Sequence, residues 1–167
     1  MRRLVVPIAM VVLVGSLSGS AAASTLRIRH DPNDSRSNLD IHKVITNLST
    51  KTVYLRLRSW DRFKAGEMRQ EWDLTLDTFG SPDPDRGVAI SHGPRGIVCT
   101  VVSLHTGSQF GYRLATRPDR KSAACHLPRS WLGRIDQPVR FRVFVFSLRA
   151  GSVSDKAPGH GRVYRGL

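Results

Sequence analysis

Cysteine, helical periodicity and long apolar runs are what this chain lacks. Its 167 residues hold two cysteines, Cys99 and Cys125, and two thiols are too few for a structural zinc site. No segment reaches the roughly 20 apolar residues that span a bilayer, so no transmembrane anchor is predicted once a leader is removed. Helical spacing of apolar residues is almost absent; the exceptions are a turn or two over 65–71 and a short proline-started helix over 128–132. Neither an internal repeat nor a long low-complexity linker divides the chain. Catalytic signatures are missing as well: there is no Gly-x-Ser-x-Gly elbow and no His-Glu-x-x-His helix, and the six histidines are scattered. Glu67 and Glu71 stand near one another, but a glycosidase pair needs a defined separation across a cleft, which spacing does not supply. The reading is therefore not an enzyme, with a hydrolase a distant third choice.

Acidic residues are scarce beside basic ones, 13 against 26, for a formal net charge of +13. Nucleic-acid motifs are absent, so no specific nucleic-acid partner is expected. The basic residues form no block: Arg27, Arg56, Arg58, Arg113, Arg140 and Arg142 sit singly in alternating segments. They read either as solvated strand faces or as a surface for polyanions such as cell-envelope polymers, whose attraction salt weakens.

What is present begins with a leader. Arg2 and Arg3 precede an apolar run over 4–14 broken only by Pro7, then small polar residues, then Ala21, Ala22 and Ala23. That is the order of a cleavable secretory signal peptide over 1–23. Cleavage after Ala23 leaves one domain over 24–167 and, with two arginines gone, a charge of +11. The mature protein is expected to be secreted, extracellular or cell-surface associated. In that compartment Cys99 and Cys125 read as one disulfide.

Period-two alternation dominates the mature chain. Val53, Leu55 and Leu57 share one face while Tyr54, Arg56, Arg58 and Trp60 share the other, the pattern of a half-buried strand. Further strands are predicted over 26–30, 39–48, 72–79, 87–91, 97–104, 110–116, 123–127 and 139–148. In the segment 39–48 the phase changes, which predicts a bulge near His42 and Lys43. Over 144–146 both faces are apolar, predicting a central strand covered on both sides. From about 151 the chain is glycine-rich and basic and reads as a tail along the domain edge. The fold class predicted is all-β: an antiparallel sandwich of seven to nine strands with one or two short helical turns, an incomplete barrel being the rival.

Asp31, Asp34 and Asp40 are hard oxygen ligands around one turn, with Asp155 a partner if the C-terminal loop returns beside the first strand. Calcium takes six to eight such oxygens, partly from backbone carbonyls. The spacing is not that of an EF-hand, and side-chain turns onto the local backbone are the other reading. A second group, Asp77, Asp83 and Asp85, reads as a solvated hairpin loop.

The turn Asp31 to Asp34, followed by Leu39, Asp40, Ile41 and a strand, resembles the opening of secreted DOMON-like and family nine carbohydrate-binding β-sandwiches. Trp72, Asp77 and Gly80, and the closing Ser154, Asp155, Ala157, Pro158 and Gly161, fit the same outline. The resemblance implies a β-sandwich, often with a structural calcium and without catalytic residues, in a group whose members bind sugars or haem. This chain lacks a Met and His pair placed for haem and a tryptophan pair assignable to a sugar slot, so neither ligand transfers. Tyr54 and Trp60, on the polar face of one strand, remain the candidate ligand-contacting aromatics. The function expected is a noncatalytic binding or surface-associated module for carbohydrate or an anionic envelope polymer. The alternative is a structural or protein-interaction domain without a small ligand.

Overall fold

Alternating side chains become strands wherever one face can be buried. The computed structural model describes residues 27–35, 37–65, 70–78, 83–133, 135, 139–147, 152–158 and 164–165. The expected signal peptide and Glu67 lie outside the described residues. In chain order the strands are β1 (Arg27–His30), β2 (Ile41–Leu48), β3 (Thr52–Ser59), β4 (Gln70–Asp77), β5 (Arg86–Gly93), β6 (Gly96–Ser103), β7 (Gln109–Leu114), β8 (Ser122–Pro128), β9 (Arg140–Ser147), β10 (Ser152–Ala157) and β11 (Tyr164–Arg165). A short 3-10 helix covers Arg129–Leu132. No helix among the described residues is long and apolar enough to cross a membrane.

The strands form two antiparallel sheets. The smaller runs β1-β2-β3-β8; the larger runs β10-β9-β4-β5-β6-β7, with β11 also paired to β9. The all-β sandwich predicted from alternation is the architecture found. Two strands exceed the expected number, because the segment read as a tail from 151 supplies β10 and β11, both along the edge of β9. The expected bulge is present: the β2–β3 register shifts between Ile41 and Lys43, leaving His42 out of step. Of the helical turn expected over 65–71, Gln70 and Glu71 already belong to β4.

Facing sheets bury Leu57, Leu74, Ile90, Phe141 and Trp72 between them. Trp72 is fully buried, donates its indole N–H to Leu39 O at 2.9 Å and meets Phe63 edge-on at 5.3 Å. Removing a core aromatic of this kind costs about 3–5 kcal/mol. At one margin Cys99 on β6 and Cys125 on β8 form a disulfide with a Cα separation of 6.0 Å, linking the two sheets. Beside it Thr116 and Ala124 exchange backbone hydrogen bonds at 2.9 and 2.8 Å.

One expectation for β9 fails. Phe144 and Phe146 were predicted to be covered, yet both are half-buried on the outer face of the larger sheet, where they line an open groove. Their inward neighbours Val143 and Val145 supply the core. An apolar run on both faces of a strand does not require a second layer; a concave sheet face can leave it partly open.

Candidate functional site

Two charged clusters lie at the end of the smaller sheet where β2 begins and β3 finishes. The first is acidic. Asp31 follows β1 and Asp40 precedes β2, while Asp155 arrives from β10 on the edge of the other sheet. The register of β10 shifts between Val153 and Asp155, and such a bulge re-aims the next side chain. Asp155 turns inward and is 8% exposed. Its Oδ2 accepts the Ile41 N–H at 2.8 Å and its Oδ1 the Lys156 N–H at 2.6 Å. Ser35 closes the loop by donating its hydroxyl to Ser154 O at 3.0 Å and its N–H to Asp40 Oδ2 at 3.3 Å.

Carboxylate oxygens of Asp31, Asp34 and Asp155 lie within 4.8 Å of one another. Asp40 completes the group through its electrostatic and hydrogen-bond coupling to Asp155. Asp31 and Asp40 are 5% and 1% exposed, and one oxygen of each, Asp31 Oδ2 and Asp40 Oδ1, is buried without a hydrogen-bond partner. Burial, then Asp155, Asp34 and Asp40, push the Asp31 carboxyl up to about 7. Burial also raises Asp40, to about 6, with Asp155 and Asp34 adding to the rise and the Ser35 N–H opposing it. None of the four carboxylates forms an ion pair with any described residue. Clustered buried carboxylates without a counter-charge are costly. A hard cation satisfies such a set, since every donor is oxygen. The four aspartates named from the sequence are thus neighbours in space. Tyr164 was missed: burial first, then Asp31 and Asp155, raise its hydroxyl to about 12, and its oxygen is buried without a partner.

The second cluster is basic. Arg58 lies one residue before the end of β3, Arg62 and Lys64 follow the strand, and Arg117, Arg120 and Lys121 come from the β7–β8 connection. Arg62, Phe63, Lys64, Arg117 and Arg120 line a depression of about 450 Å³. Arg117 spans it, donating to Phe63 O at 2.6 Å and Arg120 O at 3.2 Å, with its guanidinium 4.6 Å from the Phe63 ring centroid. Asp119 bonds Arg56 and Arg58 at 2.7 and 2.5 Å. Burial alone would raise Asp119, but the Lys121 N–H, the Ser122 hydroxyl, Arg58 and Arg56 together hold it below the usual carboxylate value. Arg62 and Arg120 are exposed and make no ion pair with a described residue. In the sequence these cations are scattered, because the two loops lie more than 50 residues apart.

Trp60 joins the clusters through its backbone: its N–H donates to Asp40 O at 2.9 Å and its carbonyl accepts from Lys121 Nζ. Its ring stacks on His42 with centroids 4.0 Å apart. Tyr54 lies elsewhere, half-buried against His126 at 4.9 Å. Trp60 is six residue steps along the chain from Tyr54, roughly 20 Å in extended backbone, so the two aromatics do not form one platform. Of the acidic group expected in a solvated hairpin loop, Asp83 is exposed as expected, but Asp77 and Asp85 are buried: Asp77 pairs with Arg140, and Asp85, 1% exposed, accepts the Thr78 N–H and hydroxyl and pairs with Arg86. No protein-family model, no curated protein and no solved structure matches this chain.

Proposed function

We propose that the protein is an exported, noncatalytic module that binds an anionic envelope polymer through the basic loops. In this reading Asp31, Asp34, Asp40 and Asp155 hold a calcium ion that fixes the adjoining end of the sandwich. The observation that carries it is the convergence of Arg58, Arg62, Lys64, Arg117, Arg120 and Lys121, from the end of β3 and two loops, around two adjoining depressions that share Arg62 and Arg120, with Asp61 and Asp119 the acids beside them among the described residues. A repeating anion meets several cations at once there, and fixed loops keep them aligned. Export is supported by the leader and by a disulfide, a bond that persists in oxidising compartments. A neutral glycan is less well served, because Tyr54 and Trp60 are apart.

The test is retention of the secreted chain on a cell-wall preparation and on an immobilised acidic polysaccharide, over a salt series. Retention should collapse as salt passes 0.15 M, where screening shortens to about 8 Å. The double variant Arg62→Glu and Arg120→Glu should lose it at low salt while keeping its melting temperature, and Tyr54→Ala should keep it. Equal retention on neutral and acidic matrices, or a double variant that binds like the parent, would overturn the proposal in favour of a structural or protein-interaction role.

A further inference from the structure

The outer face of the larger sheet carries a groove of about 380 Å³ that takes no part in either cluster. Its floor is low because β5 contributes Gly87 and Ala89 there. A Cβ on Gly87 would come within 3.0 Å of both Leu104 Cδ2 and Val102 Cγ2, so these two side chains already close in over the glycine. Phe144, Phe146 and Val153 form the opposite wall. Val153 and Leu104 are 54% and 43% exposed, which leaves the mouth open.

Asp73 stands in this apolar floor, between Ala89 on β5 and Phe144 on β9. Glu71, two residues back on the same face of β4, lies opposite Phe146. Neither carboxylate makes a hydrogen bond or ion pair with a described residue. Among the described residues the cations on this face are Arg142, opposite Thr75, and Lys156, whose ammonium sits 5.7 Å from the Phe144 ring centroid; neither pairs with Asp73 or Glu71. Burial raises Asp73 to about 6, and burial followed by the charge of Asp73 raises Glu71 to about 7. Within a chain so rich in lysine and arginine, two carboxylates left without a partner among the described residues, in an apolar trough, suit a cation from outside.

We propose that this groove binds a small cationic amphiphile, an amine or quaternary ammonium borne on a hydrocarbon body. The ammonium faces Asp73 and Glu71, and the hydrocarbon lies between Phe144 and Phe146 on one side and Val102 and Leu104 on the other. The groove is at the small end of ligand clefts, mostly apolar with few polar groups, which is the usual makeup of such sites. Aromatic faces add cation–π attraction. A second copy of the chain fits poorly, because symmetric pairing would press four carboxylates together in an apolar interface. An anionic ligand meets the two carboxylates head on.

The experiment is calorimetric titration of the secreted chain at pH 8 with decyltrimethylammonium and with decyl maltoside, each below its micelle concentration. The net positive charge repels the ammonium over most of the surface, and the groove variants below separate binding here from binding at the Asp31, Asp34 and Asp155 cluster. The ammonium should bind at least ten-fold tighter than the neutral ligand. Asp73→Asn, checked for its fold by circular dichroism, should bring the two ligands level, and Glu71→Gln should narrow the gap. Ala89→Trp, which fills the floor, should remove both. Equal affinities in the parent, no saturable binding of the ammonium, an Asp73→Asn variant that keeps the preference, or sedimentation showing a dimer that Ala89→Trp disperses would each overturn the proposal.

Discussion

Consider the proposed calcium site, tested by comparing the purified protein in calcium and in chelator. Two buried carboxylates, Asp31 and Asp155, have oxygens within 4.8 Å. At an effective dielectric near 20, two such charges repel by about 3 kcal/mol. Without the ion, the folded state relieves this by taking up protons: Asp31 is raised to about 7 and Asp40 to about 6. The unfolded chain releases those protons near pH 4. Between pH 4 and 7 the folded state therefore binds more protons than the unfolded one, so stability in chelator falls as pH rises through this window. Under the proposal calcium replaces the protons and removes the loss. At a hundred-fold excess over its dissociation constant it adds about 2.7 kcal/mol. For a domain of this size that is a rise in melting temperature of roughly 8–10 °C. Scanning calorimetry at pH 7.5 in millimolar calcium and in chelator reads it directly. Asp31→Asn sharpens the test, since it should raise the melting temperature in chelator by relieving repulsion and also abolish the response to calcium. Superimposable melting curves for the parent in calcium and chelator would refute the reasoning, as would an Asp31→Asn variant less stable than the parent in chelator.

The disulfide closes a loop with a sequence separation of 26, worth about 3.5 kcal/mol on the chain-entropy model; Cys99→Ser with Cys125→Ser should lower the denaturation free energy by that order. Intact-mass analysis after alkylation should show two thiols only in reduced protein, and label taken up without reductant would count against the link. Gly111→Ala should cost about 1–3 kcal/mol in chemical denaturation through overpacking, because the new Cβ would lie 2.5 Å from Trp131 Cζ2. In a Trp131→Ala background the same substitution should cost little, and an unchanged midpoint in the single variant would show that the ring yields freely.

Which parts could be read in advance follows from how local each signal is. The alternation of Val53, Leu55 and Leu57 is a property of eight adjacent residues, and β3 has the buried face it predicts. The phase break at His42 is equally local, and there the chain bulges. The four aspartates were legible for another reason: few residue types supply hard oxygen ligands, so a short acidic turn and one distant aspartate were enough to name the set. The condition attached to Asp155 was met by a different route, since β10 pairs with β9 rather than with the first strand and only the carboxylate of Asp155 crosses to Ile41. The basic depression escaped notice because Arg62 and Arg120 are neighbours only after β3 and β8 have paired.

The groove was hidden more deeply. Phe144 and Phe146 announce an apolar outer face, but periodicity reports which side a residue points to, not whether anything packs there. Whether that side is covered depends on Gly87 and Ala89, whose small size on β5 hollows the sheet, and on Leu104, which leans over them from beyond β6. Small residues in a strand weaken its apparent pattern while creating the concavity, so the feature that makes a trough also lowers its visibility in the sequence. In the sequence Asp73 is the polar half of an alternating strand and Glu71 the end of an expected helical turn, and on a solvated face they would be no more than that. Their lack of a cationic partner became meaningful once Phe144 and Phe146 were found beside them in the open.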